Sequence, residues 1–224
     1  MLLPVAPDHL RIQPVHISIF GGTGPAGQLL LEQALSSGHN VTAFARTPGK
    51  LPEHNRLTVV EGQLRDSEAI TKAVQGSDAV LSLLGPSTAA ADSPPLVEGY
   101  RNIVAAMKTH GVGRLVALGT ASNADPTDRR ELKISLAVKF IAKFQPVAYN
   151  TLVQIGQIVR NSGLQWTLVR VPMLTNGPRT ERINVRTIGA KGGIRLSRAN
   201  AAAYFLQQAT DTTRIGQAPF ITDK

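Results

Sequence analysis

The sequence predicts an α/β fold in which helices flank one doubly wound parallel sheet, with a small extension at the C-terminal end. Three observations lead to this prediction. Short apolar strand patterns alternate with helical patterns, a glycine-rich loop separates the first strand from the first helix, and no repeat or linker interrupts the alternation. The chain has 224 residues, enough for one domain with a sizeable core. We therefore expect a short extension over residues 1–14 and a single domain over residues 15–224.

The glycine-rich loop follows the apolar strand 15–20 and opens a helical pattern that ends near Ser37. Gly21 permits the tight turn off the strand, Gly24 lets the backbone approach a pyrophosphate, and Gly27 lets the helix pack against the sheet. The free N–H groups and the positive end of the helix would hold the phosphates. The spacing is G-x-x-G-x-x-G rather than G-x-G-x-x-G, and between a strand and a helix it predicts a Rossmann-like nicotinamide dinucleotide site. The residues expected there are Gly21, Thr23, Gly24, Pro25, Ala26 and Gly27.

An arginine follows the second predicted strand, 40–45, at the position that discriminates between nicotinamide cofactors. An acidic residue there would hold the ribose hydroxyls of NAD and repel a phosphate, whereas Arg46 suits the 2′-phosphate of NADP. Thr47 and Lys50 lie close enough to join it, and no carboxylate occurs before Glu53. The sequence therefore favours NADP(H) over NAD(H). The alternative is a solvated arginine in a turn.

The rest of the chain continues the alternation. Further strands are predicted over 57–60, 79–83, 115–118, 165–171 and 219–222, with a strand-like stretch over 182–188. Further helices are predicted over 67–75, 95–110, 132–144, 147–162 and 198–210. Ligands of open α/β sheets lie beyond the carboxyl ends of the strands. The residues at those ends that we expect around the adenine, ribose and nicotinamide are Gln63, Leu64, Leu84, Gly85, Pro86, Gly119, Thr120, Pro172, Met173 and Leu174.

A long insertion, residues 123–146, separates the fifth strand from the next helix. Polar residues 125–130 lead into a stretch in which apolar residues alternate with Lys133, Lys139 and Lys143, as is typical of an amphipathic helix. Its structural role would be packing, and its functional role would be a wall or lid of a substrate cleft. The sequence leaves both roles open.

Charge and composition bear on whether the protein binds nucleic acid, forms disulfides or binds a metal. The formal net charge of +9 would suit nucleic acid, but aromatic residues make up 4% and the basic residues are spread along the chain. A basic surface with a few cations for an anionic cofactor is favoured, and no nucleic-acid partner is expected. There is no cysteine, and the five histidines show no metal-ligand spacing, so we expect neither disulfides nor a metal site.

We expect a cytoplasmic protein that is a monomer or a homodimer and has no membrane partner. No apolar run approaches the ~20 residues of a membrane span. Residues 1–14 resemble neither a signal peptide nor a transit peptide.

The chain resembles the atypical short-chain dehydrogenase/reductases with an NmrA-like, NAD(P)H-binding fold, and among them the biliverdin-IXβ reductase (flavin reductase) type. The glycine loop, Arg46 with Lys50, the segment 98–112 and the segment 160–164 carry the resemblance, which covers most of residues 15–224. It implies hydride transfer from NADPH to flat conjugated acceptors such as flavins, quinones or linear tetrapyrroles. It also implies that Thr120 takes the place of an active-site Ser or Thr near the nicotinamide.

The chain departs from these families where a general acid is expected. Flavin reductases have a histidine after the proline that ends the sixth strand, and this chain has Met173. Val153 follows Tyr149 by four residues, so the Tyr-x-x-x-Lys dyad of typical short-chain dehydrogenases is missing. Many NmrA-like relatives carry a lysine or histidine on the helix before the sixth strand, where this chain has residues 154–157, Gln-Ile-Gly-Gln.

The sequence therefore predicts an NADPH-dependent reductase that acts mainly by positioning a small aromatic or quinonoid acceptor against the nicotinamide. Thr120 would donate a hydrogen bond, although its hydroxyl could equally serve a backbone group at the strand end. Tyr149 is a second candidate acid, and burial in the core is its alternative. A non-redox enzyme with a fixed NADP(H) scaffold and an NADP-sensing regulator are the alternative functions.

Overall fold

The computed structural model describes residues 13–86, 93–180 and 182–224. Most of the expected extension over 1–14 therefore lies outside the described residues. The strands are β1 (His16–Phe20), β2 (Asn40–Ala45), β3 (Leu57–Glu61), β4 (Ala79–Ser82), β5 (Arg114–Thr120), β6 (Gln165–Val171), β7 (Met173–Thr175), β8 (Ile183–Arg186), β9 (Arg195–Ser197) and β10 (Phe220–Asp223). The helices are α1 (Pro25–Ser36), α2 (Ser67–Val74), α3 (Ser93–Thr109), α4 (Leu132–Phe144), α5 (Pro146–Arg160) and α6 (Arg198–Gln207), with a 3₁₀ turn at Pro48–Lys50.

An eight-stranded sheet has the order β3-β2-β1-β4-β5-β6-β10-β8. All neighbouring strands pair in parallel except β8, which runs antiparallel to β10 at the edge. The strand order reverses between β1 and β4, which creates the crevice where doubly wound sheets bind ligands. The predicted fold class is confirmed, and the strand-like stretch 182–188 contains the antiparallel edge strand.

Helices cover both faces of the sheet because successive side chains of each strand point to opposite sides. Ile17 and Ile19 of β1 pack with α1 and α6, whereas Phe20 packs on the other face with α2, α3 and α5. Side chains fix two of the helix starts. Asp66 accepts a hydrogen bond from the backbone N–H of Ala69, and the predicted cap Ser197 accepts one from Asn200.

The strands β7 and β9 form a separate two-stranded parallel sheet beyond the end of β6. The sequence pattern did not predict this sheet. Each of its strands has three residues, and alternation cannot be recognised over so short a length.

A buried ion pair attaches the start of the insertion to the sheet. Arg170 of β6, which is fully buried, donates two hydrogen bonds to Asp128 at 2.5 and 2.8 Å. It also donates to the carbonyl oxygen of Ala218 at 2.7 Å. The Asp128 carboxylate accepts further hydrogen bonds from the backbone N–H groups of Asp125 and Ile188. Four segments therefore meet at one guanidinium–carboxylate pair.

Burial alone would raise the pKa of Asp128, but the hydrogen bonds and charge of Arg170, together with the backbone donors, lower the pKa below its ordinary value. A carboxyl group with a lowered pKa stabilises the fold above its unfolded pKa. That contribution disappears as the pH falls through the folded pKa.

The variant Asp128→Asn is expected to lose about 3–5 kcal/mol of unfolding free energy at neutral pH, because it leaves a buried guanidinium without its counter-charge. The loss should begin to shrink below about pH 4, where this carboxyl takes up a proton in the unfolded wild type, and should disappear as the pH falls through the lowered pKa of the folded state. Urea unfolding across this pH range measures both effects. The control is Glu98→Gln, which removes the exposed pair with Arg65 and should change stability by less than about 1 kcal/mol. Equal losses in the two variants would contradict this account of the buried pair.

Candidate functional site

Two glycines of the loop after β1 are required by the packing of the protein itself. Gly21 has a φ of +88°, and a Cβ there would lie 3.0 Å from the carbonyl carbon of Leu83. A Cβ on Gly27 would lie 2.0 Å from the carbonyl oxygen of Gly21, so α1 packs directly on the backbone of the loop. Among the described residues, a Cβ on Gly24 would meet only that same oxygen, at an ordinary 3.5 Å. Protein packing therefore explains Gly21 and Gly27, and it does not require Gly24.

The N-terminus of α1 carries backbone N–H groups without acceptors among the described residues. Gly24 precedes the helix without a side-chain cap, and Pro25 has no N–H. Within the described residues, no acceptor faces the amides of Ala26 and Gly27, whereas Gln28 already donates to the carbonyl oxygen of Gly24. The first turn also contains no acidic residue. Free amides at the positive end of a helix can hold an anion such as a pyrophosphate.

A cleft of about 260 Å³ lies against this helix end. It brings together residues that are far apart in the sequence. The predicted residues that line it are Gly21, Gly24, Pro25, Ala26, Gly27, Gly85, Pro86 and Leu174. Arg198 also lines the cleft, at the start of α6, and donates a 2.5 Å hydrogen bond to Asn176. Arg198 was not predicted as a site residue, although it is a basic residue directly after the predicted helix cap Ser197.

Tyr100 holds the end of β4 at the edge of the cleft. Its hydroxyl accepts a hydrogen bond from Ser82 at 2.9 Å and donates one to the carbonyl oxygen of Leu84 at 3.1 Å. Burial raises the pKa of Tyr100, so the phenol stays neutral and acts as a structural link. The predicted site residue Leu84 is thereby positioned through its backbone.

The side chains predicted for the adenosine half lie beyond the ends of β2 and β3. Arg46, Thr47 and Lys50 are exposed, and Arg46 has no hydrogen bond or ion pair within the described part of the chain. The 3₁₀ turn carries Lys50 beside Gln28 of α1. Gln63 is also exposed after β3.

Two further predicted residues have different surroundings. Leu64 is half-buried, and its backbone oxygen accepts a 3.0 Å hydrogen bond from Asn102. Thr23 is half-buried in the glycine loop and does not line the cleft.

A second cavity, of about 480 Å³, adjoins the first and shares Pro86 and Val171 with it. The ends of β5 and β6, the helix α4 and the start of α5 form its walls. Its apolar lining is Ile134, Ala137, Val138, Ile141, Ala148, Leu152, Val171, Pro172, Met173, Ile194 and Phe220. Its polar side chains are Thr120, Ser122, Lys133 and Gln145. The insertion 123–146 thus supplies one wall of an apolar chamber next to the cleft.

Thr120 lies in this second cavity at the end of β5. Its side-chain oxygen accepts a 3.2 Å hydrogen bond from the backbone N–H of Ser122. The hydroxyl of Thr120 therefore does serve a backbone group at the strand end, as in the alternative expected from the sequence. The hydroxyl hydrogen has no acceptor among the described residues and can donate to a molecule in the cavity.

Asn123 fixes the conformation of this strand end and was not predicted from the sequence as a site residue. Its side-chain oxygen accepts from the N–H of Thr120 at 3.0 Å, and its amide nitrogen donates to the carbonyl oxygen of Leu152 at 2.6 Å. A Cβ on Gly156 would lie 2.3 Å from the amide nitrogen of Asn123. The buried amide therefore joins β5 to α5. No local sequence pattern indicates the contact with α5, because Leu152 lies 29 residues further along the chain.

Tyr149 lies apart from Thr120. It is half-buried on α5, where Ala148 and Leu152, rather than Tyr149, line the cavity. Met173, which occupies the position after the proline, is 55% exposed at the rim. The structure thus groups Thr120, Pro172 and Met173 around one cavity and leaves Tyr149 outside it.

This strand order, glycine loop and crevice define a dinucleotide-binding protein of the doubly wound α/β class. The family model described as NAD(P)H-binding matches residues 21–212. The chain belongs to this NAD(P)H-binding family. The resemblance to atypical, NmrA-like short-chain dehydrogenase/reductases is confirmed at the level of the family and the fold.

Curated relatives cover part of the chain. A 3-beta-hydroxysteroid dehydrogenase from Mycolicibacterium neoaurum is 35% identical over 126 residues, which are 51% of this chain and 34% of that protein. A 2-alkyl-3-oxoalkanoate reductase from Stenotrophomonas maltophilia is 38% identical over 112 residues, which are 47% of this chain and 33% of that protein. The matches thus span about a third of the length of these relatives.

Solved structures share the fold over nearly the whole chain. A short-chain dehydrogenase/reductase from Veillonella parvula in complex with NADP has a TM-score of 0.74 at 20% identity, and the match covers 93% of this chain and 94% of that one. ChuY, an anaerobillin reductase from Escherichia coli O157:H7, has a TM-score of 0.74 at 17% identity, with 93% and 97% covered. These similarities show the fold.

The variant Gly27→Ala is expected to lower the unfolding free energy by about 1–3 kcal/mol, because the new methyl group would overlap the carbonyl oxygen of Gly21. Gly49→Ala is the matched control, since a Cβ on Gly49 meets nothing within 4 Å. Denaturant titration compares the two, and the control should stay within about 0.5 kcal/mol of wild type. Unchanged stability in Gly27→Ala would show that the loop can move away from the helix.

Proposed function

We propose that this protein is an NADPH-dependent reductase that transfers hydride to a small planar conjugated acceptor, such as a flavin, a quinone or an aromatic metabolite. The observation that carries the proposal is the adjacency of two spaces. A cleft with free helix amides adjoins an apolar cavity of about 480 Å³, and Pro86 and Val171 border both. Ligand pockets of this size and apolar lining suit a flat, mostly apolar molecule.

In this proposal the cofactor extends along the crevice. The amides of Ala26 and Gly27 bind the pyrophosphate, which can approach because Gly24 has no side chain. Arg46 and Lys50, aided by Thr47, bind the 2′-phosphate. The residues assigned to the adenine, ribose and nicotinamide are Gln63, Leu64, Leu84, Gly85, Pro86, Gly119, Thr120, Pro172, Met173 and Leu174.

The protein contributes position rather than an acid. NADPH supplies the hydride when it is bound. The insertion 123–146 acts as a wall that excludes water from one side of the acceptor, and the Thr120 hydroxyl donates a hydrogen bond to the acceptor or to the carboxamide. Tyr149 lies outside the cavity lining, so the acceptor takes its proton from water at the rim beside Met173.

The direct test is to mix purified protein with NADPH and panels of flavins, quinones and aldehydes and to follow the absorbance of the nicotinamide. We expect turnover with at least one flavin or quinone. Turnover of none of them would refute the reductase proposal.

Two alternative functions follow from the same geometry, because the described cavity lining contains no histidine, tyrosine, aspartate or glutamate, and Lys133 is its one titratable side chain. A non-redox enzyme would hold NADP(H) as a fixed scaffold, and a regulator would bind it and act through a partner. Binding of both oxidised and reduced cofactor without turnover would favour these alternatives.

The variant Arg46→Asp is expected to weaken NADPH binding by about 10–100-fold, because it replaces a charge-assisted hydrogen bond to the 2′-phosphate with repulsion. NADH binding should change little. Fluorescence titration with the two cofactors measures both affinities. Lys72→Asp is the control, because it makes the same change of charge at an exposed position on α2. It should leave both affinities near wild type. Equal losses for NADPH and NADH would refute the 2′-phosphate assignment.

The variant Thr120→Val is expected to lower kcat by about tenfold or more with little change in KM for NADPH, because the hydrogen-bond donor in the cavity is lost. Thr120→Ser should restore most of the rate, since it keeps the hydroxyl. Stopped-flow measurement of hydride transfer compares the two Thr120 variants with wild type, and far-UV circular dichroism verifies that they fold.

The rate of hydride transfer in Tyr149→Phe should stay near that of wild type. A loss of 10²-fold or more in this variant would identify Tyr149 as the acid.

A further inference from the structure

The helix α4 has apolar residues on two opposite sides. On one side, Ile134, Val138 and Ile141 line the cavity. On the other side lie Leu132, Leu136, Phe140 and Phe144, which are 62%, 66%, 62% and 60% exposed. These four, here called the α4 stripe, follow one another every fourth residue and so form a continuous band along the helix. The rings of Phe140 and Phe144 lie 4.4 Å apart, centroid to centroid.

Positive charge surrounds the α4 stripe. Lys133, Lys139 and Lys143 are exposed on the same helix, and none has a carboxylate partner among the described residues. The sequence contains no Asp or Glu from residue 132 to residue 180. The nearest preceding acid, Glu131, already pairs with Arg186 at 3.0 Å. The outer face of α4 is therefore both apolar and cationic.

The same helix is firmly attached to the protein. The carboxylate of Glu131, directly before its first residue, accepts hydrogen bonds from Arg186 and from the backbone N–H of Gly189. Asp128, three residues earlier, is bound by Arg170. The α4 stripe is therefore exposed on a helix whose N-terminal end is held in place by these contacts.

We propose that the α4 stripe docks this protein peripherally on a lipid bilayer that contains anionic headgroups. A continuous exposed apolar band is uncommon on a surface that faces only water. Leucine and phenylalanine can enter the boundary of the acyl chains while the lysine stems lie along it and their ammonium groups reach the phosphates. This proposal departs from the sequence-based expectation of no membrane partner. No described helix is long and apolar enough to cross a membrane, and surface docking requires none.

Charge favours a bilayer over a second copy of the chain. Two α4 stripes packed against each other would bring the lysines of both copies together without any carboxylate from α4 to compensate them. An anionic lipid surface instead supplies the opposite charge.

Met173 and Ile194, which line the cavity, are also half-exposed apolar residues. If the proposed reductase function holds, docking would bring α4, one wall of that cavity, to the surface where apolar acceptors concentrate.

Vesicle flotation tests the proposal without using turnover, so its outcome is separate from that of the reductase assay. The full chain is mixed with vesicles of phosphatidylcholine alone or of phosphatidylcholine with phosphatidylserine. We expect the wild type to float with the anionic vesicles and to bind the neutral ones at least about tenfold more weakly. Leu136→Ser/Phe140→Ser and Lys139→Gln/Lys143→Gln should each reduce anionic binding by about tenfold or more.

The matched controls are Val59→Ser and Lys72→Gln, which change an exposed apolar residue and an exposed lysine elsewhere. They should float like wild type, and circular dichroism should show all variants folded. Wild type that floats with neither vesicle, or equally with both, would overturn the proposal. A dimer in analytical ultracentrifugation that Leu136→Ser/Phe140→Ser converts to monomers would also overturn it, because a second copy would then cover the stripe.

Discussion

The buried pair of Arg170 and Asp128 determines where the insertion can lie. Arg170 lies between two valines of β6, and its guanidinium donates hydrogen bonds to the carboxylate of Asp128 and to the carbonyl oxygens of Asn123 and Ala218. A buried charge is tolerated only with such partners. The chain that carries Asp128 must therefore cross the end of β6, and α4 must begin close to it. The wall of the second cavity follows from this single electrostatic requirement.

A buried ion pair of this kind fixes the relative positions of the segments that carry it more than it raises the free energy of unfolding. Desolvation of two charges offsets most of their attraction, so an apolar replacement of both could be equally stable. Two apolar side chains, however, would not fix the relative orientation of the two segments as the two hydrogen bonds do. Glu131 and Arg186 repeat the arrangement three residues later, with the guanidinium of Arg186 over the ring of Phe220 at 4.9 Å. Two ion pairs thus hold the start of α4 at the end of the sheet.

The sequence was sufficient for features that depend on local periodicity. The bounds of β2 and β6, and of the helix 132–144, were predicted as the structure has them, and the glycine loop was placed between β1 and α1. Contacts between distant residues were not predictable in this way. Arg170 stands within an apolar run, and its partner lies 42 residues earlier. The burial of Asn123 likewise depends on Leu152. The helix α4 has apolar residues on both sides, so periodicity could not decide which side faces the cavity.

The cleft and the second cavity depend on different parts of the chain, so in the proposed function different parts of the chain bind the cofactor and the acceptor. Gly21 and Gly27 are needed for packing in any case, so they carry less information about a ligand than Gly24, whose missing side chain no contact among the described residues explains. The proposed anion site consists of that open position and the two amides of Ala26 and Gly27. The cavity, in contrast, is enclosed by α4 and by the strand end that Asn123 fixes. Under the proposed function, a change at Arg46 would alter the choice of cofactor without altering the cavity. Changes along α4 would alter the acceptor while the glycine loop stays as it is.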